Sequence, residues 1–289
     1  MGAVGQLKRI IKGSNRIALA MEAHSALSAL IAERSGFSIL WASGLSLSSV
    51  HGLHDANELS WSQVLDALGF MIDRVTTPIL LDGDNGYGDF NNFRLVLKKL
   101  DRLGVAGVVI EDKVFPKRNS FAKSDQHLAP VEEYCGKLKA GRDAIGAQGP
   151  LIIARAEGFI AGRPLAETLD RCGAYAEAGA DAIFIHSKRK DPSEIYDFCR
   201  AWKVRTPVIA CPTTYCSESF ANLEAAGIAV AICANQSLRA SIRAMTEVCQ
   251  AIRSGRALSC VETAIAPLAE VFELLDYDEL YRAEARYLG

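Results

Sequence analysis

Four carboxylate residues have the types and spacing to hold a divalent metal ion. Asp82 and Asp84 stand two residues apart at the end of a short apolar run, and Glu111 directly follows the next such run. Residues two apart in an extended segment point to the same side, so Asp82 and Asp84 share one face. Asp55 lies in a loop after an earlier run. A set of carboxylates without cysteine or histidine members makes an all-oxygen site, which suits Mg²⁺ or Mn²⁺ with water completing an octahedron.

Three cationic side chains are candidates for binding an anion beside that metal. They are Lys117, Arg155 and His186, of which the last two directly follow apolar runs of their own. Each can hold a phosphoryl or carboxylate group through charge-assisted hydrogen bonds. We expect these cations to lie opposite the carboxylates, on the other side of one site.

Short apolar runs with helical stretches between them predict the strands that position these residues. Uninterrupted apolarity is typical of parallel strands buried on both faces. A glycine precedes several runs, as Gly104 and Gly179 do, and can take the left-handed position that ends a helix. The pattern predicts an α/β fold, a (β/α)₈ TIM barrel, rather than the alternative of an open doubly wound sheet. The eight runs are residues 17–20, 39–42, 79–81, 107–110, 151–154, 182–185, 208–210 and 230–233.

We expect a single barrel domain over residues 1–289, in which residues 262–289 form a helical C-terminal extension beyond the eighth unit. In a barrel the carboxyl ends of the strands meet at one mouth, where the active sites of barrel enzymes lie. Polar residues follow every predicted strand at that end, which favours an enzyme. The extension has an apolar face at helical spacing that needs a partner, formed by Leu268, Val271, Phe272 and Leu275.

Composition and motifs exclude several other functions. The 32 basic and 34 acidic residues give a net charge of −2, which is not the basic balance of a nucleic-acid-binding protein. No apolar stretch reaches the ~18 residues of a membrane span, and the first residues lack the apolar core of a signal peptide. Dinucleotide-binding, serine-hydrolase and P-loop motifs are absent from the sequence. The 8 cysteines form no CxxC pair, which indicates buried thiols in a reducing compartment, so we expect a cytoplasmic protein.

Several segments together resemble the isocitrate lyase/phosphoenolpyruvate mutase superfamily. The segments are DGDNGYG from Asp82, EDKVFPKRNS from Glu111, WASGL from Trp41, RAEGFIAG from Arg155, AGADA from Ala178 with the later His186-Ser187, and EARYL from Glu284. The resemblance covers nearly the whole chain, and EDK followed after five residues by NS is specific to the mutase branch. It implies an isomerase that interconverts phosphoenolpyruvate and phosphonopyruvate, the step that forms the C–P bond in phosphonate biosynthesis.

Asn119 separates the branches of this superfamily. The carbon–carbon lyases have a cysteine in this loop that protonates the product carbanion, whereas here Asn119 takes its place and no thiol lies within fifteen residues. Phosphonopyruvate hydrolases resemble the chain closely but have threonine at this position. The resemblance therefore favours a mutase over a hydrolase, over a lyase and over a non-catalytic binding protein, which would be expected to have lost some of these groups.

The resemblance implies a metal and a carboxylate site at one end of the substrate. Asp82 would bind Mg²⁺ directly and stabilise a pyruvate enolate through it, with Mn²⁺ as a possible substitute. The residues that act on the metal through water would be Asp55, Asp84 and Glu111. Trp41 would flank the pyruvyl plane, and the substrate carboxylate would bind backbone amides near Ser43, Gly44 and Leu45.

At the other end of the substrate the resemblance implies a phosphoryl site under a lid. The phosphoryl group would pass through a metaphosphate-like state. The lid would be residues 113–126, which exclude water. The catalytic residues implied are Asp55, Lys117, Asn119, Ser120, Arg155 and His186.

The resemblance also implies partners. The family forms homotetramers, as dimers of dimers that exchange C-terminal helices. A phosphonopyruvate decarboxylase is the expected functional partner, because the phosphate ester is the more stable side and a later reaction must draw the C–P compound forward.

Overall fold

The predicted strands form one closed barrel of parallel strands. The computed structural model describes residues 2–13, 16–122, 125–255 and 257–288. The strands are β1 (Ala18–Ala23), β2 (Ile39–Ala42), β3 (Ile79–Asp82), β4 (Gly107–Glu111), β5 (Leu151–Ala156), β6 (Ala182–Ile185), β7 (Val208–Ala210) and β8 (Ile228–Cys233). Each strand pairs with its neighbours in chain order, and β8 pairs with β1 from Ala18–Val230 to Met21–Cys233, which closes the sheet. The (β/α)₈ barrel is confirmed, and the open doubly wound sheet is wrong.

Helices alternate with the strands along the chain. They are α1 (Ala3–Gly13) before β1, then α2 (Ala26–Arg34), α3 (Gly44–Val50), α4 (Trp61–Ile72), α5 (Phe90–Leu103), α6 (Val131–Ile145), α7 (Leu165–Glu177), α8 (Ser193–Ala201) and α9 (Phe220–Ala225). Helix side chains such as Leu97 and Tyr134 pack in one buried cluster with the strand residues Leu81 and Val108. This cluster is the layer between the sheet and the helices.

The strands are apolar throughout because alternate residues belong to two different cores. Leu81 packs in the cluster shared with the helices, whereas Leu80 lies in a second cluster inside the barrel, together with Val109, Ile153 and Phe184. Side chains alternate along a strand with a period of two, so the next inward position follows two residues later. These next positions are Asp82, Glu111, Arg155 and His186. The same period that fills the barrel with apolar side chains therefore aims the predicted site residues into its mouth.

Helix α1 was not expected from the sequence, and it closes the amino-terminal end of the barrel. Leu7 and Ile11 of α1 are buried in the inner cluster. Gly107, the first residue of β4, makes room for them, because a Cβ there would lie 2.9 Å from Leu7 Cδ2 and 3.0 Å from Leu80 Cδ1. The sequence did not predict this helix, because the apolar face of residues 3–13 is too short to indicate that it packs against the barrel.

The chain divides into two compact units, Met1–Gln236 and Ser237–Gly289. The second unit contains extra helices after β8: α10 (Gln236–Arg253), α11 (Ser259–Glu262), α12 (Leu268–Leu274) and α13 (Tyr277–Tyr287). Leu268 is 73% exposed and Phe272 42% exposed, so the apolar face expected in the extension is open in the single chain. None of the helices in the described residues is long and apolar enough to cross a membrane. A single domain with its extension beginning at residue 262 stays a prediction.

The packing of α1 generates a stability prediction. Leu7→Ala removes a fully buried side chain from the inner cluster and should lower the free energy of unfolding by about 3 kcal/mol. Lys8→Ala, at the adjacent exposed position, should change it by less than about 0.5 kcal/mol. Urea denaturation of the two variants and the parent chain measures both effects. Equal stability of Leu7→Ala and Lys8→Ala would show that α1 is not part of the barrel core.

Candidate active site

The carboxyl ends of the strands surround a small cavity. Its volume of about 70 Å³ admits a small molecule but no polymer. The predicted site residues that line it are Trp41, Ser43, Leu45, Asp55, Asp82, Lys117, Asn119, Ser120, Arg155 and His186. The other three, Gly44, Asp84 and Glu111, lie close to lining residues: the position of a Cβ on Gly44 is 3.3 Å from Asp82 Oδ2, Asp84 contacts Lys117, and Glu111 Oε2 is 3.7 Å from Arg155. The structure thus brings all the predicted residues to one mouth.

The apolar part of the lining was missed from the sequence. Phe184 of β6 faces inward, with its ring 6.3 Å from the Trp41 ring and 5.2 Å from the Arg155 guanidinium carbon. Phe121 of the lid contributes a ring 5.5 Å from that of His186. Counting back two residues from His186 along the same predicted strand would have indicated that Phe184 also points inward. Further lining residues not predicted are Cys211, Thr213, Ile232, Ala234 and Asn235.

The carboxylates are held by the sharply folded segment after β3. Asp84 has a φ of +52°, and its carbonyl accepts a 2.7 Å hydrogen bond from Glu111 N–H, which joins the ends of β3 and β4. Gly83 is required between the two aspartates, because a Cβ there would lie 2.5 Å from Val108 Cγ2 and 3.0 Å from the Val109 carbonyl oxygen. This close approach to β4 sets Asp82, Asp84 and Glu111 side by side.

Lys117 lies among the carboxylates, not opposite them. Its ammonium is 2.8 Å from Asp55 Oδ1, contacts Asp84 Oδ1 and is 4.0 Å from Asp82 Oδ2. The expectation that all three cations face the carboxylates from across the site is therefore wrong for Lys117. A buried ammonium requires nearby negative charge, and three carboxylates supply it here. Arg155 and His186 lie further along the cavity, on β5 and after β6.

The carboxylates carry more negative charge than the chain itself balances. Burial raises the pKa of Asp84 to about 6 and the pKa of Glu111 to about 7, and the nearby lysines offset this only in part. Burial also acts to raise the pKa of Asp55, but Lys117 and Asn119 hold it below its ordinary value. Both side-chain oxygens of Glu111 are buried and accept no hydrogen bond. Lys113 Nζ lies 3.2 Å from Oε1 and Arg155 Nη2 lies 3.7 Å from Oε2, so the carboxylate has cations beside it and still has acceptor capacity for a water molecule.

This donor set fits a hard divalent cation. In the part of the chain that the structure describes, no three ligand-type side chains form a ready coordination cage. Mg²⁺ does not need one, because it keeps several of its waters and takes one or two carboxylates directly. Five carboxylates, Asp55, Asp82, Asp84, Glu111 and Glu157, lie with three cationic side chains, Lys113, Lys117 and Arg155. With two more carboxylates than cationic side chains, the cluster suits a divalent ion such as Mg²⁺ or Mn²⁺, whose binding would favour the ionised forms of Asp84 and Glu111.

The part of the cavity beside β5 and β6 contains Arg155, His186 and Ser120, which are joined by a buried carboxylate, Glu157, whose role the sequence did not predict. Glu157 Oε1 accepts from Arg155 Nε at 2.6 Å and lies 2.8 Å from His186 Nδ1, and Glu157 Oε2 accepts from Ser120 Oγ. Arg155 Nη2 also donates to Ser120 Oγ at 3.0 Å. Glu157 follows Arg155 by two residues, and this spacing could have indicated that both side chains point to the same face of the strand.

The lid is attached to both ends of the cavity. Asn119 Nδ2 donates to Asp55 Oδ2 at 2.7 Å. Lys113 Nζ donates to the Arg118 carbonyl at 2.7 Å and to Ser120 Oγ at 3.0 Å, so it holds the segment from inside. Of the expected lid, residues 113–126, Lys123 and Ser124 lie outside the described residues. The described part is positioned over the cavity by these side-chain bonds.

The start of α3 lies at the remaining side of the cavity. Ser43 caps this helix, with its hydroxyl accepting from Ser46 N–H at 3.4 Å. Gly44 N–H donates to Asp82 Oδ2 at 3.3 Å. The Gly44 amide is therefore engaged with a carboxylate of the chain, which the sequence did not predict. Ser43 and Leu45 line the cavity beside it.

Comparison with known proteins matches this barrel over its whole length. The sequence profile described as phosphoenolpyruvate phosphomutase matches residues 7–253. The phosphoenolpyruvate phosphomutase of Tetrahymena pyriformis is 47% identical over 284 residues, which cover 98% of this chain and 94% of that protein. The crystal structure of phosphoenolpyruvate phosphomutase from Streptomyces platensis subsp. rosaceus has a TM-score of 0.97 and 40% identity, with 100% of both chains covered.

A hydrolase of the same fold is less similar in sequence. A crystal structure of phosphonopyruvate hydrolase in complex with oxalate and Mg²⁺ has a TM-score of 0.93 and 35% identity, again with 100% of both chains covered. The fold alone does not separate the two activities, but the sequence is closer to the mutases. With the profile matching most of the sequence, the chain belongs to the phosphoenolpyruvate phosphomutase family.

Proposed function

We propose that this protein is an isomerase that interconverts phosphoenolpyruvate and phosphonopyruvate, moving a phosphoryl group between the C2 oxygen and C3 of pyruvate. The observation that carries the proposal is Asn119, which lines the cavity from the lid and bonds to Asp55. An amide donates and accepts hydrogen bonds but neither supplies nor removes a proton at neutral pH. That suits a transfer with no net proton movement, whereas a lyase has to protonate a carbanion.

The phosphoryl group would bind at the end of the cavity formed by Arg155, His186 and Asn119. A loose, metaphosphate-like group carries its charge on peripheral oxygens, so fixed donors around them stabilise it. Arg155 offers a planar guanidinium, and Asn119 and Ser120 offer neutral donors from the lid. Lys117 is itself on the lid and holds it in place by bonding to Asp55 and Asp84.

The pyruvyl part would lie between Trp41 and the start of α3. Ser43 and Leu45 line that side, where the substrate carboxylate would bind. The rings of Trp41, Phe184 and Phe121 make the wall apolar. An apolar wall under a lid keeps water away from a reactive phosphoryl group, which is what separates transfer from hydrolysis.

The metal of this site would be Mg²⁺, with Mn²⁺ able to replace it. Asp82 would bind it directly, and the residues that would hold its waters are Asp55, Asp84 and Glu111. When bound, the ion would supply Lewis-acid stabilisation of negative charge on the substrate carboxylate and C2 oxygen. The acceptor capacity left on the buried Glu111 carboxylate and the excess of carboxylates over cationic side chains support this assignment.

We also propose the assembly and setting of the enzyme. It would be a homotetramer, a dimer of dimers that exchange C-terminal helices, because the apolar face of α12 is exposed in the single chain. A cytoplasmic location and coupling to a phosphonopyruvate decarboxylase remain predictions from the sequence.

Phosphorus NMR of the protein incubated with Mg²⁺ and phosphonopyruvate tests the activity directly. Phosphoenolpyruvate as the product supports the proposal, because the C–P bond has then been converted to a phosphate ester. Phosphate and pyruvate as the only products would assign the protein to the hydrolases instead.

Asn119→Ala should lower kcat by about 10²-fold, because one hydrogen bond to a charged transition state contributes ~3 kcal/mol. Mg²⁺ affinity should fall far less than kcat, because Asn119 reaches the metal site through its hydrogen bond to Asp55, and part of the residual turnover should appear as phosphate and pyruvate as water enters. Asn91→Ala, an exposed asparagine at the start of α5, is the matched control. Conversion of phosphonopyruvate by Asn119→Ala at the parent rate would remove the main support for the mutase.

Asp82→Ala should abolish both turnover and Mg²⁺ binding, since it removes the direct ligand. Asp84→Ala and Glu111→Ala should weaken both by disturbing bound waters. Calorimetric titration with Mg²⁺ measures the binding, and Asp66→Ala on the exposed face of α4 is the control. Parent-level activity of Asp82→Ala in saturating Mg²⁺ would rule out this ligand assignment.

The exposed face of α12 predicts an oligomer at micromolar concentration, with roughly 2,000 Å² or more buried per pair of subunits. Replacing Leu268 and Phe272 together by Asp should shift the sedimentation coefficient towards that of a smaller species, because it puts charge into an apolar contact. Glu270→Gln on the same helix should leave it unchanged. A monomer of the parent chain at micromolar concentration refutes the assembly.

A further inference from the structure

Glu157 is a fully buried carboxylate that contacts every side chain at the phosphoryl end of the cavity except Asn119. Oε1 accepts from Arg155 Nε at 2.6 Å and lies 2.8 Å from His186 Nδ1. Oε2 accepts from Ser120 Oγ and lies 3.3 Å from Lys113 Nζ. Arg155 is on β5, His186 follows β6 and Ser120 is on the lid, so Glu157 joins three separate parts of the mouth.

Glu157 does not line the cavity, and its own position is fixed from behind. Its backbone N–H donates to Asp112 Oδ1 at 2.8 Å. Asp112 Oδ2 in turn accepts from the Tyr175 hydroxyl at 2.6 Å. Both carboxylates are fully buried, so this chain of bonds from α7 to β5 leaves Glu157 little freedom.

The carboxylate of Glu157 is ionised. Burial alone would raise the pKa of Glu157, but Arg155, His186 and Lys113 outweigh burial and hold it well below its ordinary value. An ionised carboxylate only accepts hydrogen bonds. The atom that faces Oε1 at 2.8 Å, His186 Nδ1, must therefore carry a hydrogen.

The alternative donor to Nδ1 has another partner. Arg155 Nη2 is 2.9 Å from His186 Nδ1 but also donates to Ser120 Oγ at 3.0 Å. If Nδ1 accepted from Nη2, its lone pair would face the carboxylate of Glu157 at hydrogen-bond distance, which is repulsive. Both hydrogen-bond contacts of the ring with Arg155 and Glu157 involve Nδ1, so Nε2 is the nitrogen available to the cavity.

We propose that Glu157 is a positioning residue that fixes His186 as the Nδ1–H tautomer and holds Arg155 and Ser120 in register with it, so that the unprotonated Nε2 of His186 faces the cavity and accepts a hydrogen bond from the substrate only when a phosphoryl oxygen carries a proton. The inference deepens the proposed function and rests on it for the identity of the phosphoryl group. The tautomer itself does not depend on the substrate. A carboxylate behind a histidine fixes the orientation of the ring in the same way in other active sites.

Nitrogen NMR of protein labelled with ¹⁵N-histidine tests the tautomer. In the parent chain without substrate, His186 should show the shifts of a protonated Nδ1 and an unprotonated Nε2. In Glu157→Gln the population should move towards Nε2–H, and Glu157→Asp, which keeps the charge, should restore part of the Nδ1–H form. A parent His186 protonated only on Nε2 overturns the inference.

Turnover of phosphonopyruvate supplies the second readout. Glu157→Gln should lower kcat/KM by at least about tenfold, with Mn²⁺ affinity unchanged. Glu22→Gln is the matched control, since Glu22 is also fully buried and bonded to a histidine, His24, but lies outside the cavity lining. It should leave both the His186 signals and turnover as in the parent chain.

Different results contradict the proposed function and the positioning role of Glu157. A parent enzyme that forms no phosphoenolpyruvate contradicts the proposed function and leaves the NMR to decide the tautomer. Unchanged His186 signals in a folded Glu157→Gln overturn the positioning role, whatever the activity. If Glu157→Gln does not fold, the parent spectrum and Glu157→Asp still decide the tautomer.

Discussion

Ionised side chains buried at the mouth of the barrel have to be compensated by one another, and the rest of the site depends on that requirement. Removing one partner of a buried ion pair costs about 3–5 kcal/mol, because the remaining charge stays in a poorly solvating environment. The buried charged side chains form two ion-paired groups. Lys117 joins Asp55 to Asp84, and Glu157 joins Arg155 to His186. The substrate cavity lies between them.

The same requirement explains the backbone around the site. Gly83 allows the segment after β3 to approach β4, which brings Asp84 within reach of the lysine. Lys113 bonds to the Arg118 carbonyl and to Ser120, so the lid is held by the charges beneath it.

The strands could be predicted from the sequence because both of their faces are buried, which leaves uninterrupted apolar runs. Asp82, Glu111, Arg155 and His186 could be predicted because each directly ends or follows such a run. The position of Lys117 could not, since it depends on which carboxylates the folded loops bring together. Neither could the contacts of Glu157, because its partners come from β6 and from the lid, far apart in sequence. Local spacing carries no information on such pairings.

Helix α1 closes one end of the barrel and leaves the mouth at the carboxyl ends of the strands as the open end. Leu7 and Ile11 close the amino-terminal end, and the inner side chains above them, such as Leu80 and Val109, fill the space up to the site. Solvent exchange with the cavity is therefore restricted to the side where the lid lies. In the proposed mutase, the lid would then determine both how fast substrate enters and how long a transferred group survives without meeting water. Selection for transfer over hydrolysis can consequently act on the residence time of the lid alone, with the barrel left unchanged.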